Sequence, residues 1–141
     1  AYKSQEIIVR NPYSIRPYQH VLEPLYVYLM IAKAQCENIE FAGYYNVGPD
    51  ECDCITTGDL VDLFCKEWGN GQAWKNVCNQ GPHEAQFLKL DCSKLKNTFG
   101  WGPRWQITEA VVKTVEWAKV YEQNDSIVDC MEKQIRLFML G

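Results

Sequence analysis

Asn11-Pro12-Tyr13-Ser14-Ile15-Arg16-Pro17-Tyr18-Gln19-His20-Val21-Leu22-Glu23-Pro24-Leu25 decides how the chain is read. Pro17 biases Arg16 away from helical backbone angles, which predicts Arg16 in an extended run that ends where the next element begins. Pro24 is tolerated in a helix only near its first turn, where its missing N–H would have had no partner, so a helix is predicted to start around residues 20 to 23. Arg16 is thus offered from a stiff piece of chain just before a helix amino end, an arrangement suited to a diphosphate. The same local sequence also fits a surface or salt-bridging arginine.

Working outward, 141 residues make one domain with one core. Apolar residues at 47 % and charged residues at 23 % are ordinary globular composition rather than disorder. A net charge of −4 without a Lys/Arg cluster argues against nucleic acid as a partner, since nothing would neutralise phosphates along a duplex. One bound diphosphate needs only one or two arginines. The longest apolar run, residues 25–32, falls far short of the roughly 20 residues that span a bilayer, and no charged-then-apolar leader opens the chain. These features predict a cytoplasmic protein with no membrane partner. Seven cysteines, an odd count without scaffold spacing, read as reduced thiols used as small core residues.

In chain order, residues 6–10 read as a strand closed by Asn11-Pro12. A chain that opens on a strand without a capped lead-in is expected of a piece cut from something longer. Residues 21 to about 37 read as a helix with Leu22, Leu25, Tyr26, Leu29, Ala32 and Cys36 on its main stripe, so apolar that part of it lies bare if a neighbour is missing. Residues 42–49 read as a strand ended by Gly48-Pro49. Thr56-Thr57-Gly58-Asp59 caps a helix with Leu60, Val61, Phe64, Cys65 and Trp68 inward, stopped by Gly69-Asn70-Gly71, and residues 73–77 form a short strand. Residues 87–90 alternate like an edge strand, and Asp91 or Ser93 caps a short helix over residues 94–99 that Gly100 stops. Thr108 is expected to cap the next helix, with Ala110, Val111, Thr114, Val115, Ala118 and Tyr121 inward. A last helix after Asn124-Asp125-Ser126 carries the stripe Ile127, Val128, Met131, Ile135, Phe138 and Met139, which packs inward, on a missing part of the chain, or on a second subunit. The fold class expected is α/β, a small helix-rich lobe with a few short strands.

Arg16-Pro17-Tyr18-Gln19-His20-Val21-Leu22-Glu23-Pro24-Leu25 resembles the signature of the CDP-glucose 4,6-dehydratases, members of the extended short-chain dehydrogenase/reductase superfamily, with Tyr18 where Trp is expected. A second match runs from Gly81-Pro82-His83-Glu84-Ala85 through Leu88-Lys89-Leu90-Asp91-Cys92-Ser93-Lys94 to Gly100-Trp101, where Phe99 replaces the usual Leu. Tyr44-Tyr45-Asn46-Val47-Gly48 is similar to a step that lies near the nucleotide in related dehydratases and epimerases. An Asn at a strand end is by itself more often a turn-former than a ligand contact.

The resemblance implies that residues 1–141 are the carboxyl-terminal substrate-binding lobe of an extended Rossmann-type enzyme, with the amino-terminal NAD-binding domain outside the chain. The parent activity implied is that of a carbon–oxygen lyase. NAD takes hydride from C4 of CDP-glucose, the 6-hydroxyl leaves as water, and the hydride returns at C6 to give CDP-4-dehydro-6-deoxyglucose. The substrate contacts implied are Arg16 at the diphosphate, where Lys could not reproduce a bidentate contact, Asn46 near the nucleotide, and His83 and Glu84 facing the sugar nucleotide. A solvated loop is the plain alternative for His83 and Glu84. Tyr18, Gln19 and His20 shape the site or the domain junction, and for His20 a packed or capping role is favoured. Partners implied are CDP-glucose or a related nucleotide sugar, the missing domain and a homodimer mate. A lobe for GDP-, dTDP- or UDP-sugars, or a stand-alone nucleotide-binding module, is the competing reading.

The chemistry absent from the sequence is equally informative. A dinucleotide cradle needs a glycine-rich turn between strand and helix, and neither Gly69-Asn70-Gly71 nor Gly100-Trp101-Gly102 has that spacing. No tyrosine has Lys four residues on. The chain alone is therefore expected to bind no NAD and to be inactive, with no catalytic residue of its own. Cys52-Asp53-Cys54 with Cys78 and His83 invites a zinc reading, but a one-residue gap fits a tetrahedral site poorly, so no metal is expected.

Overall fold

A computed structural model describes residues 6–77 and 86–141 of the chain. His83 and Glu84, with Cys78, lie outside the described residues. Among the described residues four three-residue strands and five α-helices occur in the order β1 (Ile7–Val9), β2 (Ile15–Pro17), α1 (Leu22–Glu37), β3 (Cys54–Thr56), α2 (Thr57–Trp68), β4 (Trp74–Asn76), α3 (Ser93–Phe99), α4 (Ile107–Glu122) and α5 (Ile127–Leu140), with short 3-10 turns at Ile39–Phe41 and Glu51–Asp53. The lobe is helix-rich with few short strands, as the sequence predicts. Among the described residues no helix is long and apolar enough to cross a membrane.

The strands form two separate pairs. β1 runs parallel to β4, with Ile8 opposite Lys75, and β2 runs antiparallel to β3, with Arg16 opposite Ile55. Two hydrophobic centres flank them. Trp68, Ile107, Val111 and Val115 bury the facing sides of α2 and α4, with Tyr18 and Ile55 packed against them. Val27, Leu95 and Trp101 join α1 to α3 and the turn beyond it.

Local chemistry explains most element ends. Thr56 accepts the Asp59 N–H at 3.0 Å and so caps α2, while Gly69 (φ +75°) ends it. The Asp91 carboxylate accepts the Ser93 N–H at 2.9 Å at the start of α3, and Gly100 (φ +62°) closes that helix in the left-handed region. Ser126 caps α5 through the Asp129 N–H.

Three expectations need correction. Residues 42–49 form no strand, because their polar groups are claimed elsewhere: Gln19 bonds the Val47 carbonyl, Asn46 bonds the Asp91 carbonyl, and Tyr44 is left 96 % exposed. Residues 87–90 contribute only one bridge, Ile15 to Phe87, rather than an edge strand. Gln106 precedes α4, and Thr108 lies inside the helix, exposed, with no capping bond there. The α5 stripe, for which three packing partners stood open, divides: Phe138 faces inward with Cys130 and Gln134, whereas Val128, Met131, Ile135 and Met139 are exposed. Gln134 is drawn inward because its amide reaches the Lys113 carbonyl on α4 at 2.9 Å. On α1 the apolar surface lies partly bare: Glu23 and Val27 are the buried residues, and Leu25, Leu29 and Cys36 face outward.

Candidate functional site

Arg16 occupies the middle of β2, and both sides of that strand are engaged. β3 pairs along one side, and on the other Ile15 donates to the Gln86 carbonyl at 2.9 Å and accepts from the Leu88 N–H at 3.2 Å. Gln86 is where the described chain resumes, three residues after His83. Two neighbouring segments therefore restrain the backbone that carries Arg16. The guanidinium is half-buried, and its Nη1 donates to the Ile15 carbonyl at 2.9 Å, which holds the group close to the strand.

The residues after Arg16 fasten this strand to the rest of the lobe. The Tyr18 hydroxyl bonds the Thr57 hydroxyl at 2.8 Å, at the amino end of α2. Gln19 Nε2 donates to the Val47 carbonyl at 3.3 Å, which ties the segment to residue 47, next to Asn46. His20 is buried, its Nδ1 accepts the Leu22 N–H at 3.2 Å, and its ring meets Trp105 edge-on at 4.9 Å. Burial, and then the charge of Lys113, pull its pKa down, so the ring is neutral at neutral pH with Nδ1 as acceptor. The packed, capping position favoured for His20 is the one it occupies.

Asn46 is exposed and donates from Nδ2 to the Asp91 carbonyl at 3.0 Å. Beside this contact lies a polar cavity of about 220 Å³, with Asp50, Glu51, Lys89, Asp91 and Lys96 among its walls. Lys89 pairs with Glu51 and Lys96 with Asp50. The hydrogen bond that Lys89 donates holds the Glu51 carboxylate below its ordinary value, and the one that Lys96 donates to Asp50 raises Lys96. These lysines were not given a role in the sequence, where residues 87–90 read as an edge strand and Lys96 falls in the short helix that follows. Their signal was the match of acidic Asp50-Glu51, just after Gly48-Pro49, with basic positions 89 and 96, a pairing that only the fold brings together.

Glu23 is the other residue that sequence reasoning passed over. Its side chain is fully buried, and Oε1 accepts from the backbone N–H groups of Arg104 and Trp105 at 2.8 Å each. Burial raises its pKa even though those two bonds and the Arg104 charge lower it. Arg104 stacks over Tyr26 and bonds the Phe138 carbonyl at 2.8 Å, so α1, the turn before α4, and α5 meet at this point. Glu23 itself is closed to solvent and braces this junction, its second oxygen, Oε2, buried without a hydrogen-bond partner among the described residues.

The cysteines of the described residues are free thiols, and burial pushes Cys54, Cys65, Cys92 and Cys130 up, away from thiolate chemistry. Among the described residues no group of three or more His, Cys, Asp or Glu is arranged to hold a metal ion.

The chain is 40 % identical over 137 residues to the CDP-glucose 4,6-dehydratase of Salmonella typhimurium. This chain is related to the CDP-glucose 4,6-dehydratases. The match covers 96 % of the chain and 38 % of the relative, so the chain spans well under half the length of the dehydratase it matches. No protein-family model matches it. With 137 residues matched, the similarity to the dehydratase extends across both the strand that carries Arg16 and the cavity beside Asn46.

Proposed function

We propose that this chain is the carboxyl-terminal, substrate-gripping part of a CDP-glucose 4,6-dehydratase, a lyase that converts CDP-glucose to CDP-4-dehydro-6-deoxyglucose. Arg16 is the diphosphate contact, Asn46 lies beside the nucleotide, and His83 and Glu84 are further contacts of the sugar nucleotide. Tyr18 and His20 hold the Arg16 strand in place. The observation that carries this reading is the double restraint of β2, combined with 40 % identity to a dehydratase over nearly the whole chain. A strand fixed on both sides presents its arginine from a backbone with little left to order on binding, and a guanidinium that exchanges its bond to the Ile15 carbonyl for the diphosphate makes a bidentate, charge-assisted contact.

The parent reaction calls for NAD, and the described residues do not fit that cofactor. A pyrophosphate cradle places glycines ahead of a helix amino end, whereas Gly69 and Gly71 follow the carboxyl end of α2 and Gly100 closes α3. The cofactor therefore belongs to an amino-terminal domain beyond these residues, and the chain alone is inactive.

Titration of the isotope-labelled chain with CDP and with CDP-glucose, followed by amide NMR, tests the proposal. Shifts at Arg16, Asn46 and the residues flanking Gln86 are expected, weak because half of the pocket is absent. No shift at millimolar ligand removes the preformed site, and equal response to GDP or UDP favours a lobe for another nucleotide sugar.

A further inference from the structure

Tyr18, Gln19 and His20 form the floor of two apolar clefts that share Thr114 of α4 as a wall. One, about 390 Å³, lies between Tyr18, Gln19 and the Val61 and Phe64 face of α2. The other, about 300 Å³, runs from His20 past Leu25 to Trp117 and Met131. Leu25 and Met131 are each 47 % exposed, so this is a broad apolar surface and not a scatter of single residues. Trp117 stacks on Tyr121 at 5.7 Å along its rim, which makes a flat aromatic platform.

A further observation shows that the surface is unfinished. The parallel pair β1 and β4 leaves Ile8 61 % exposed, although parallel sheets ordinarily have both faces covered and a lone pair of strands is marginal.

We infer that the double cleft is the seat of the remainder of a full-length enzyme, which closes over Thr114 and Trp117. The inference rests on the function proposed above and names the face on which its two parts meet. Length and place select this occupant over a second copy of the chain. The match takes in only 38 % of the related dehydratase, so more than half of such an enzyme must pack elsewhere. The cleft floor also begins at Tyr18, two residues from Arg16, so a body seated there is brought directly beside the diphosphate contact.

Hydroxyl-radical footprinting of the full-length gene product, dilute and without nucleotide, decides the matter. Met131, 47 % exposed in the lobe, is expected to oxidise several-fold more slowly than Met139, which is 55 % exposed. A rate at Met131 that matches Met139 overturns the inference. Protection that disappears on dilution also overturns it, in favour of a second copy, and so does a gene that encodes only these residues. Because no nucleotide is present, the result is separate from the functional reading. A protected cleft in a protein that fails to bind CDP-glucose keeps the interface and discards the substrate.

Discussion

Glu23 and Trp105 are 82 residues apart in sequence and joined by a 2.8 Å hydrogen bond, from the Trp105 N–H to Glu23 Oε1, in a part of the molecule closed to water. The Arg104 N–H shares the same oxygen, so one carboxyl group satisfies two donors of the turn that leads into α4. This contact fixes the first turn of α1 to the far half of the chain.

Glu23→Ala leaves both N–H groups unsatisfied, and we expect a loss of roughly 2–4 kcal/mol, since hydrogen bonds to a carboxylate and the exposed penalty of a buried donor both enter. Urea denaturation measures it. Glu23→Gln keeps an acceptor oxygen and is expected to cost less. The pH dependence has a definite sign: burial raises the folded-state pKa, so the stability contributed by Glu23 is full below its ordinary value near 4.5 and is lost as pH rises through the folded value. Glu23→Gln should therefore compare best with the parent at neutral pH and worst at acidic pH.

His20 works in the opposite direction. Its pKa is lowered by burial and then by Lys113, so its contribution is present above the ordinary value of 6.5 and is lost as pH falls through the folded value. His20→Asn preserves an acceptor for the Leu22 N–H without a titrating ring. We expect its stability to fall less steeply than the parent's below about pH 6.5, measured by thermal melts. An unchanged acid slope would mean that the ring is not held neutral.

Gly100 and Gly102 make a paired test of backbone conformation. A Cβ at either position meets nothing within 4 Å, but Gly100 has φ +62°. Gly100→Ala is expected to cost about 1 kcal/mol and to lower Tm by a few degrees, from backbone strain alone. Gly102→Ala should leave the melting curve in place.

What the sequence made legible is what neighbouring residues decide. The Thr56 cap and Gly69 stop bracket α2, Pro24 sits in the first turn of α1, and β4 falls within the predicted stretch 73–77 because each depends on chemistry within a few positions. Distant partners decide the rest. Residues 42–49 have strand-like composition, but Gln19 and Asn46 divert their polar groups into side-chain bonds that span 28 and 45 positions. Gln134 is buried on α5 because the Lys113 carbonyl, 21 positions away, supplies its partner. Of the candidate site, Arg16, Tyr18 and His20 were readable because prolines pin their segment. The cations Lys89 and Lys96 were not, since only the fold brings them beside Asn46.

The central claim, that Arg16 grips a diphosphate, is met most directly by the binding of CDP-glucose to the full-length enzyme carrying Arg16→Ala, with bound NAD quantified in the same preparation. A charge-assisted contact of about 1.5–3 kcal/mol predicts substrate affinity weakened roughly 10- to 100-fold, with NAD occupancy unchanged and Arg16→Lys recovering only part of the loss. Affinity for CDP-glucose that matches the parent enzyme, or an equal loss of substrate and NAD, would contradict the account.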